Sequence, residues 1–338
     1  MAYASVKDLS EAAIPVIDVA PLASGDAGGL HKVAGEMLAA SETIGFFYVR
    51  NHGVPRSVID AMAGEAFRFF RRPQEEKRTV LVSPQHRGFI PVGEAKMYSG
   101  ARPDLKESFV WGLDIAPDDP DFTSGRSLLA PNRWPATQPG LRQACNAYFD
   151  ACHRIAWQMM RAFAVALEIE EDYFVRRIAK PVSRGTAVYY PSQPPESEEE
   201  QFGVAPHTDY GCITFVYQAN VGGLEVYSRE REWVLAHRIE DSFVVNVGDL
   251  LARWTNDRFR STPHGVLNDS GRDRYSIAFF YSPTPSAVIE CLPTCASAAD
   301  PPRYPRAVYR DLVLEFYNAN YFHRTGYTGG RAPSAPEA

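Results

Sequence analysis

Two histidines and a carboxylate are the groups in this chain best suited to hold a reactive metal: His207 and Asp209 in His207-Thr208-Asp209, and His264 closing Ser261-Thr262-Pro263-His264. Side chains two residues apart on a strand point to the same face. His207 and Asp209 would then share one side, and a third ligand from a distant strand would complete one triangular face of an octahedron. The opposite three positions stay open, which is the arrangement of the 2-His-1-carboxylate triad suited to non-haem Fe(II) and oxygen. His-x-Asp by itself occurs often by chance. Its weight here comes from the distant histidine and from an anion-binding pattern beyond it.

Ten residues after His264, Arg274-Tyr275-Ser276 opens the apolar run Ile277 to Tyr281. Alternation puts Arg274, Ser276 and Ala278 on one face and Tyr275, Ile277, Phe279 and Tyr281 on the other. A guanidinium and a hydroxyl would converge there and could clamp a carboxylate, with each charge-assisted hydrogen bond worth roughly 1.5 to 3 kcal/mol. A buried arginine without a counter-anion would cost about 3 to 5 kcal/mol. The expected occupant is a cosubstrate or an internal Asp or Glu.

The elements that must position these groups are legible in outline. Ile14 to Ile17 and Gly45 to Val49 read as strands, Leu30 to Thr43 as an amphipathic helix, and Asn51 to Pro55 as a turn into a helix that reaches Phe67, Phe69 and Phe70 and ends near Pro73. Leu141 to Leu167 has Tyr148, Cys152, Ile155, Met159 and Phe163 at helical spacing. From Arg184 the pattern becomes short strands: Thr186 to Tyr190, Ile213 to Tyr217, Gly223 to Tyr227, Ser242 to Val247 and Tyr275 to Tyr281. This reads as a mixed first half and an all-β second half. Ser192 to Gln201 is an acidic loop, and Gly326 to Ala338 a frayed tail. His52, His86 and His153 read as turn, surface and structural histidines.

A chain of 338 residues with 45% hydrophobic content can bury a large core. A net charge of -6 without a basic cluster argues against nucleic acid. Residues 1 to 20 have no long apolar run, so no membrane anchor or secretory signal is expected and the expected location is cytoplasmic. The five cysteines lack paired spacing, which argues against a disulfide framework or a structural zinc site.

His207-Thr-Asp-Tyr-Gly211, Asn246-Val-Gly-Asp249, Trp254-Thr-Asn256, Ser261-Thr-Pro-His264 and Arg274-x-Ser276 occur in order. They are preceded by Ile14-Pro-Val-Ile-Asp18, Gly45 to Pro55, Phe69-Phe70 with Glu75-Glu-Lys77, and Asp104-Leu-Lys-Glu-Ser-Phe109. The chain thereby resembles the isopenicillin N synthase-like, 2-oxoglutarate-dependent Fe(II) dioxygenases over nearly its whole length. The resemblance implies a mainly β fold with flanking helices, a distorted double-stranded β-helix (jelly roll) core at 183–325, an N-terminal region at 1–125, a helical segment at 126–182 and a tail at 326–338, forming one catalytic unit. It implies Fe(II) on His207, Asp209 and His264, and 2-oxoglutarate on Arg274 and Ser276 with help from Tyr190. The chain departs from the pattern at Val188, where many relatives have Asn, and at Gly265, where relatives commonly have Arg.

The implied reaction converts 2-oxoglutarate and O2 to succinate and CO2 and hydroxylates, desaturates or cyclises a small organic molecule, with ascorbate as a stimulant and no obligate protein partner. Asp209 argues against halogenation, which needs a small residue there. A 2-oxoglutarate-independent oxidase, an ethylene-forming enzyme, a non-redox metal enzyme and a binding protein with a decayed site are the alternatives. Tyr98, Arg102, Phe109, Trp111, Tyr210 and Phe279 are expected to line the substrate pocket.

Overall fold

The computed structural model describes residues 14–95, 102–125, 128–193 and 201–320. Tyr98, most of the acidic loop and the 326–338 tail lie outside the described residues. The strands are β1 (Val16–Asp18), β2 (Phe46–Arg50), β3 (Gly88–Ile90), β4 (Glu107–Gly112), β5 (Arg184–Tyr190), β6 (Val204–His207), β7 (Ile213–Gln218), β8 (Leu224–Tyr227), β9 (Trp233–Ala236), β10 (Phe243–Val247), β11 (His264–Val266) and β12 (Arg274–Tyr281). They form an eight-stranded sheet ordered β1-β2-β10-β7-β12-β5-β4-β3 and a four-stranded sheet ordered β6-β11-β8-β9. Only β1 and β2 pair in parallel among these ladders. The inner faces meet through Tyr48, Val188, Tyr190, Val204, Leu224, Val226, Val244 and Val266, which makes the core a jelly roll.

The helices are α1 (Ala27–Thr43), α2 (Arg56–Phe70), α3 (Gln74–Arg78), α4 (Pro120–Thr123), α5 (Pro139–Ala166), α6 (Asp249–Trp254) and α7 (Tyr309–Asn320). Asp26 caps α1 by accepting from the Gly28 and Gly29 N–H groups. Pro139 opens α5, where its missing N–H has no helical partner to lose. Cys145, Tyr148, Cys152, Ile155, Met159 and Phe163 of α5 are buried. That stripe joins one core with α1, α2 and the outer face of the large sheet. Each fully buried aromatic there contributes roughly 1.5 to 3 kcal/mol. Between α1 and β2 the chain turns at Gly45, with φ +70°, and a Cβ would lie 2.1 Å from the Arg260 carbonyl oxygen. Any side chain at this position is excluded.

The helices and strands expected from sequence recur with shifts of a few residues at their ends. The expectation of an all-β second half is corrected by α6 and α7. α6 follows β10 directly, and α7 returns over the barrel with Val313 and Tyr317 buried. Among the described residues no helix is long and apolar enough to cross a membrane.

Candidate active site

β6 ends at His207 and β11 begins at His264, and the ladder pairs the two residues directly. Their ring centroids are 4.5 Å apart. Asp209 lies two residues beyond the end of β6, so strand alternation does not orient it. Instead Asn246 Nδ2, from β10, donates to Asp209 Oδ2 at 2.8 Å, and the Asp249 N–H donates to the Asp209 carbonyl at 2.7 Å. His207 Nε2 is 3.7 Å from Asp209 Oδ1, and His264 Nε2 is 3.7 Å from Oδ2. One ligand atom from each residue falls within 4.8 Å of the others.

Each imidazole turns Nδ1 to a backbone carbonyl, His207 to Ala205 at 2.9 Å and His264 to Thr262 at 3.0 Å. A carbonyl only accepts, so Nδ1 carries the proton and Nε2 keeps its lone pair toward Asp209. Burial, with His264 alongside, holds His207 well below the usual imidazole range. Burial pushes Asp209 up, but the two histidines and hydrogen bonds from Thr214 and Asn246 outweigh it and leave the carboxyl below its usual range. At neutral pH His207 is neutral and Asp209 charged, the protonation that metal binding requires. Two imidazole nitrogens and a carboxylate fit Fe(II).

Arg274 opens β12 and is 0% exposed. Its Nε donates to the Gly222 carbonyl at 2.6 Å, its Nη1 to Ser276 Oγ at 3.4 Å, and its guanidinium lies 4.6 Å from the Tyr190 ring centroid. Nη2 is buried without a hydrogen-bond partner. Burial lowers the Arg274 pKa, and Tyr190 alongside offsets part of that. No internal Asp or Glu fills the clamp among the described residues, so it fits an external carboxylate.

Triad and clamp line one cavity. Tyr190 and Tyr210 line it too, and Val188 presents an apolar surface beside Ser276. Four expected lining residues do not line it. Ser108 and Val110 of β4 face the cavity, so alternation turns Phe109 and Trp111 the other way. Phe109 packs on Phe69 at 4.9 Å, and Trp111 Nε1 donates to the Cys145 carbonyl of α5 at 3.1 Å. Phe279 sits opposite Ala278 and Phe280 and packs on Phe149 at 5.2 Å. Arg102 is exposed and outside the lining. His86, expected at the surface, is 2% exposed with φ 62° and lines the cavity, because the Ser83–Arg87 turn tucks it against Tyr317 of α7. The sequence reading also missed Lys106, Arg184, Thr186, Phe280 and Phe316. Alternation from Arg274 and Tyr190 points to Phe280, Thr186 and Arg184. Phe316 follows only once α7 is placed, stacked on Tyr210 at 4.9 Å.

Residues 14–137 match the model described as non-haem dioxygenase in morphine synthesis N-terminal, and residues 184–283 match that of the 2OG-Fe(II) oxygenase superfamily. The 2-oxoglutarate-Fe(II) type oxidoreductase hxnY of Emericella nidulans is 34% identical over 326 residues, spanning 94% of this chain and 93% of that protein. Among solved structures, a full-length Neurospora crassa protein in complex with alpha-KG and thymine has a TM-score of 0.80 and 31% identity, covering 91% of this chain and 98% of that one. JOX2 in complex with 2OG, Fe and JA has a TM-score of 0.75 and 27% identity, covering 94% and 86%. Similarity of this extent, over both halves of the fold and around a pocket with this donor set, means that the chain belongs to the 2-oxoglutarate- and Fe(II)-dependent oxygenase superfamily and is a 2-oxoglutarate-dependent dioxygenase.

Proposed function

We propose that His207, Asp209 and His264 hold the Fe(II), that Arg274 and Ser276 hold the distal carboxylate of 2-oxoglutarate over Tyr190, and that the coupled reaction hydroxylates, desaturates or cyclises a small organic molecule. The observation that carries this reading is the unpartnered Nη2 of a fully buried Arg274 in the same cavity as the three ligand atoms. The metal, when bound, supplies oxygen activation. The chain's own residues do the positioning. Asn246 fixes the Asp209 carboxylate, the Ala205 and Thr262 carbonyls fix the imidazoles, and Val188, Val216, Leu224 and Val266 keep the surroundings apolar.

Succinate release from 2-oxoglutarate, measured with Fe(II) and O2, tests the assignment. His207→Ala is expected to abolish it. Arg274→Gln is expected to raise the KM for 2-oxoglutarate roughly 10- to 100-fold while Mn(II) affinity stays unchanged, since charge-assisted bonds are worth about 1.5 to 3 kcal/mol. Turnover that survives His207→Ala, or oxidised product formed without succinate, overturns the reading.

A further inference from the structure

We propose that Asp104 is a positioning residue for the metal: it holds the β-bulge that aims His207 and, with Lys106, ties the wall of the cavity to that ligand. The inference rests on His207 being a metal ligand.

β6 and β11 pair at Val204 with Val266 and at His207 with His264, so Ala205 and Pro206 together stand opposite the single Gly265. An extra residue of this kind bends a strand and re-aims the side chains beside it. The bulge is closed in from the β11 side, where a Cβ on Gly265 would lie 3.1 Å from the Val204 carbonyl oxygen and 3.5 Å from Pro206 N. On its other side β6 is the edge of the small sheet, which leaves its backbone groups to partners outside a ladder. Pro206 has no N–H to offer. The Ala205 N–H donates to Asp104 Oδ1 at 3.1 Å, and the Ala205 carbonyl accepts from His207 Nδ1 at 2.9 Å. One residue of the bulge therefore joins a buried carboxylate to the imidazole.

Asp104 is itself fixed in place. It is 1% exposed, its N–H donates to the Ala95 carbonyl at 2.9 Å, and its carbonyl accepts from the Gly93 N–H at 3.3 Å. The Leu105 N–H donates to the Phe202 carbonyl at 3.0 Å, which lays this segment along the approach to β6. Asp104 Oδ2 lies 2.9 Å from Lys106 Nζ. Such a pair holds one geometry, because parting the charges would leave the carboxylate buried without a cation. Lys106 and Ala95 line the same cavity as His207. Wall and ligand thus share one hydrogen-bonded support, and Asp104 is the group at its centre.

The test uses the full chain, titrated with Co(II) in place of Fe(II) and read by the visible absorption of the bound ion and by its Kd. Asp104→Ala is expected to raise the Kd roughly 10- to 100-fold, as for other groups that support a ligand from behind, and to shift the bands. Asp104→Asn keeps an oxygen that can accept from Ala205 and should return the Kd to within a few-fold of wild type. Gln201→Ala is the structural control. It cuts the 3.0 Å bond from Gln201 Nε2 to the Pro103 carbonyl, in the same contact but outside the bulge, and should leave Kd and bands unchanged. A folded Asp104→Ala protein with wild-type Kd and bands overturns the proposal. So does Asp104→Asn performing no better than Asp104→Ala, or Gln201→Ala weakening the metal equally. Should Asp104→Ala not fold, hydrogen exchange at the Ala205 amide of the wild type decides: slow exchange is expected of a donor held by a carboxylate, and rapid exchange overturns the proposal. Bands identical in wild type and His207→Ala overturn the triad assignment and the proposal together, whereas bands that need His207 but not Asp104 overturn the proposal alone.

Discussion

Asn246 decides where the Asp209 carboxylate points, because no strand does. It is 0% exposed, donates to Asp209 Oδ2, and has an Oδ1 with no partner. Asn246→Ala should raise the Fe(II) concentration for half-maximal activation roughly 10- to 100-fold, the usual cost of losing a group that orients a ligand. An unchanged Fe(II) activation curve would show that Asn246 does not orient Asp209. At this scale the sequence was informative wherever chemistry is rare. His207, Asp209, His264, Arg274 and Ser276 stood out by type and spacing, and the fold brings all five into one cavity. It was poor for large aromatics. Phe109, Trp111 and Phe279 suit a pocket wall and a core equally well, and all three are in the core.

At the scale of paired strands, the departure at Gly265 acquires a consequence. β11 pairs Gly265 with Glu225 of β8. Glu225 is 4% exposed and its Oε2 has no partner. Burial, with Asp269 nearby, raises its pKa to about 7. A carboxyl whose folded pKa is raised stabilises the protein below its unfolded value, and that stability is lost as pH rises through about 7. Glu225→Gln should therefore leave Tm nearly unchanged at pH 5 and raise it by roughly 2 to 4 °C at pH 8. Equal Tm differences at the two pH values would rule out Glu225 as the cause. The period-two and 3.6-residue patterns made most elements legible, but α7 was not. Its place over the cavity depends on Tyr317 meeting Arg184 of β5, 133 residues away in the chain, which no local pattern encodes.

Across the whole molecule, α5 ties the N-terminal helices to the outer face of the large sheet, while the inner face and the small sheet enclose the site. His207 and His264 face each other at one end of the β6–β11 pair, Asp209 follows two residues beyond β6 and Arg274 opens β12, so the proposed metal and cosubstrate sites exist only in the assembled fold. Mn(II) with 2-oxoglutarate, each at about 100 times its Kd, should stabilise the protein by about 2.7 kcal/mol per ligand and raise Tm in a thermal scan. His207→Ala should remove the metal's share, and an equal rise in that variant would detach stabilisation from the triad. The chemistry was written in the sequence by itself, because metal ligands and an anion clamp need particular functional groups whose order along the chain is visible. Which side chains surround the substrate was decided only by the tertiary structure. A lining position is defined by the face a strand turns inward and by what packs over it, as β4 turns Ser108 and Val110 inward and α7 brings Phe316, and those relations exist only between segments far apart in the chain.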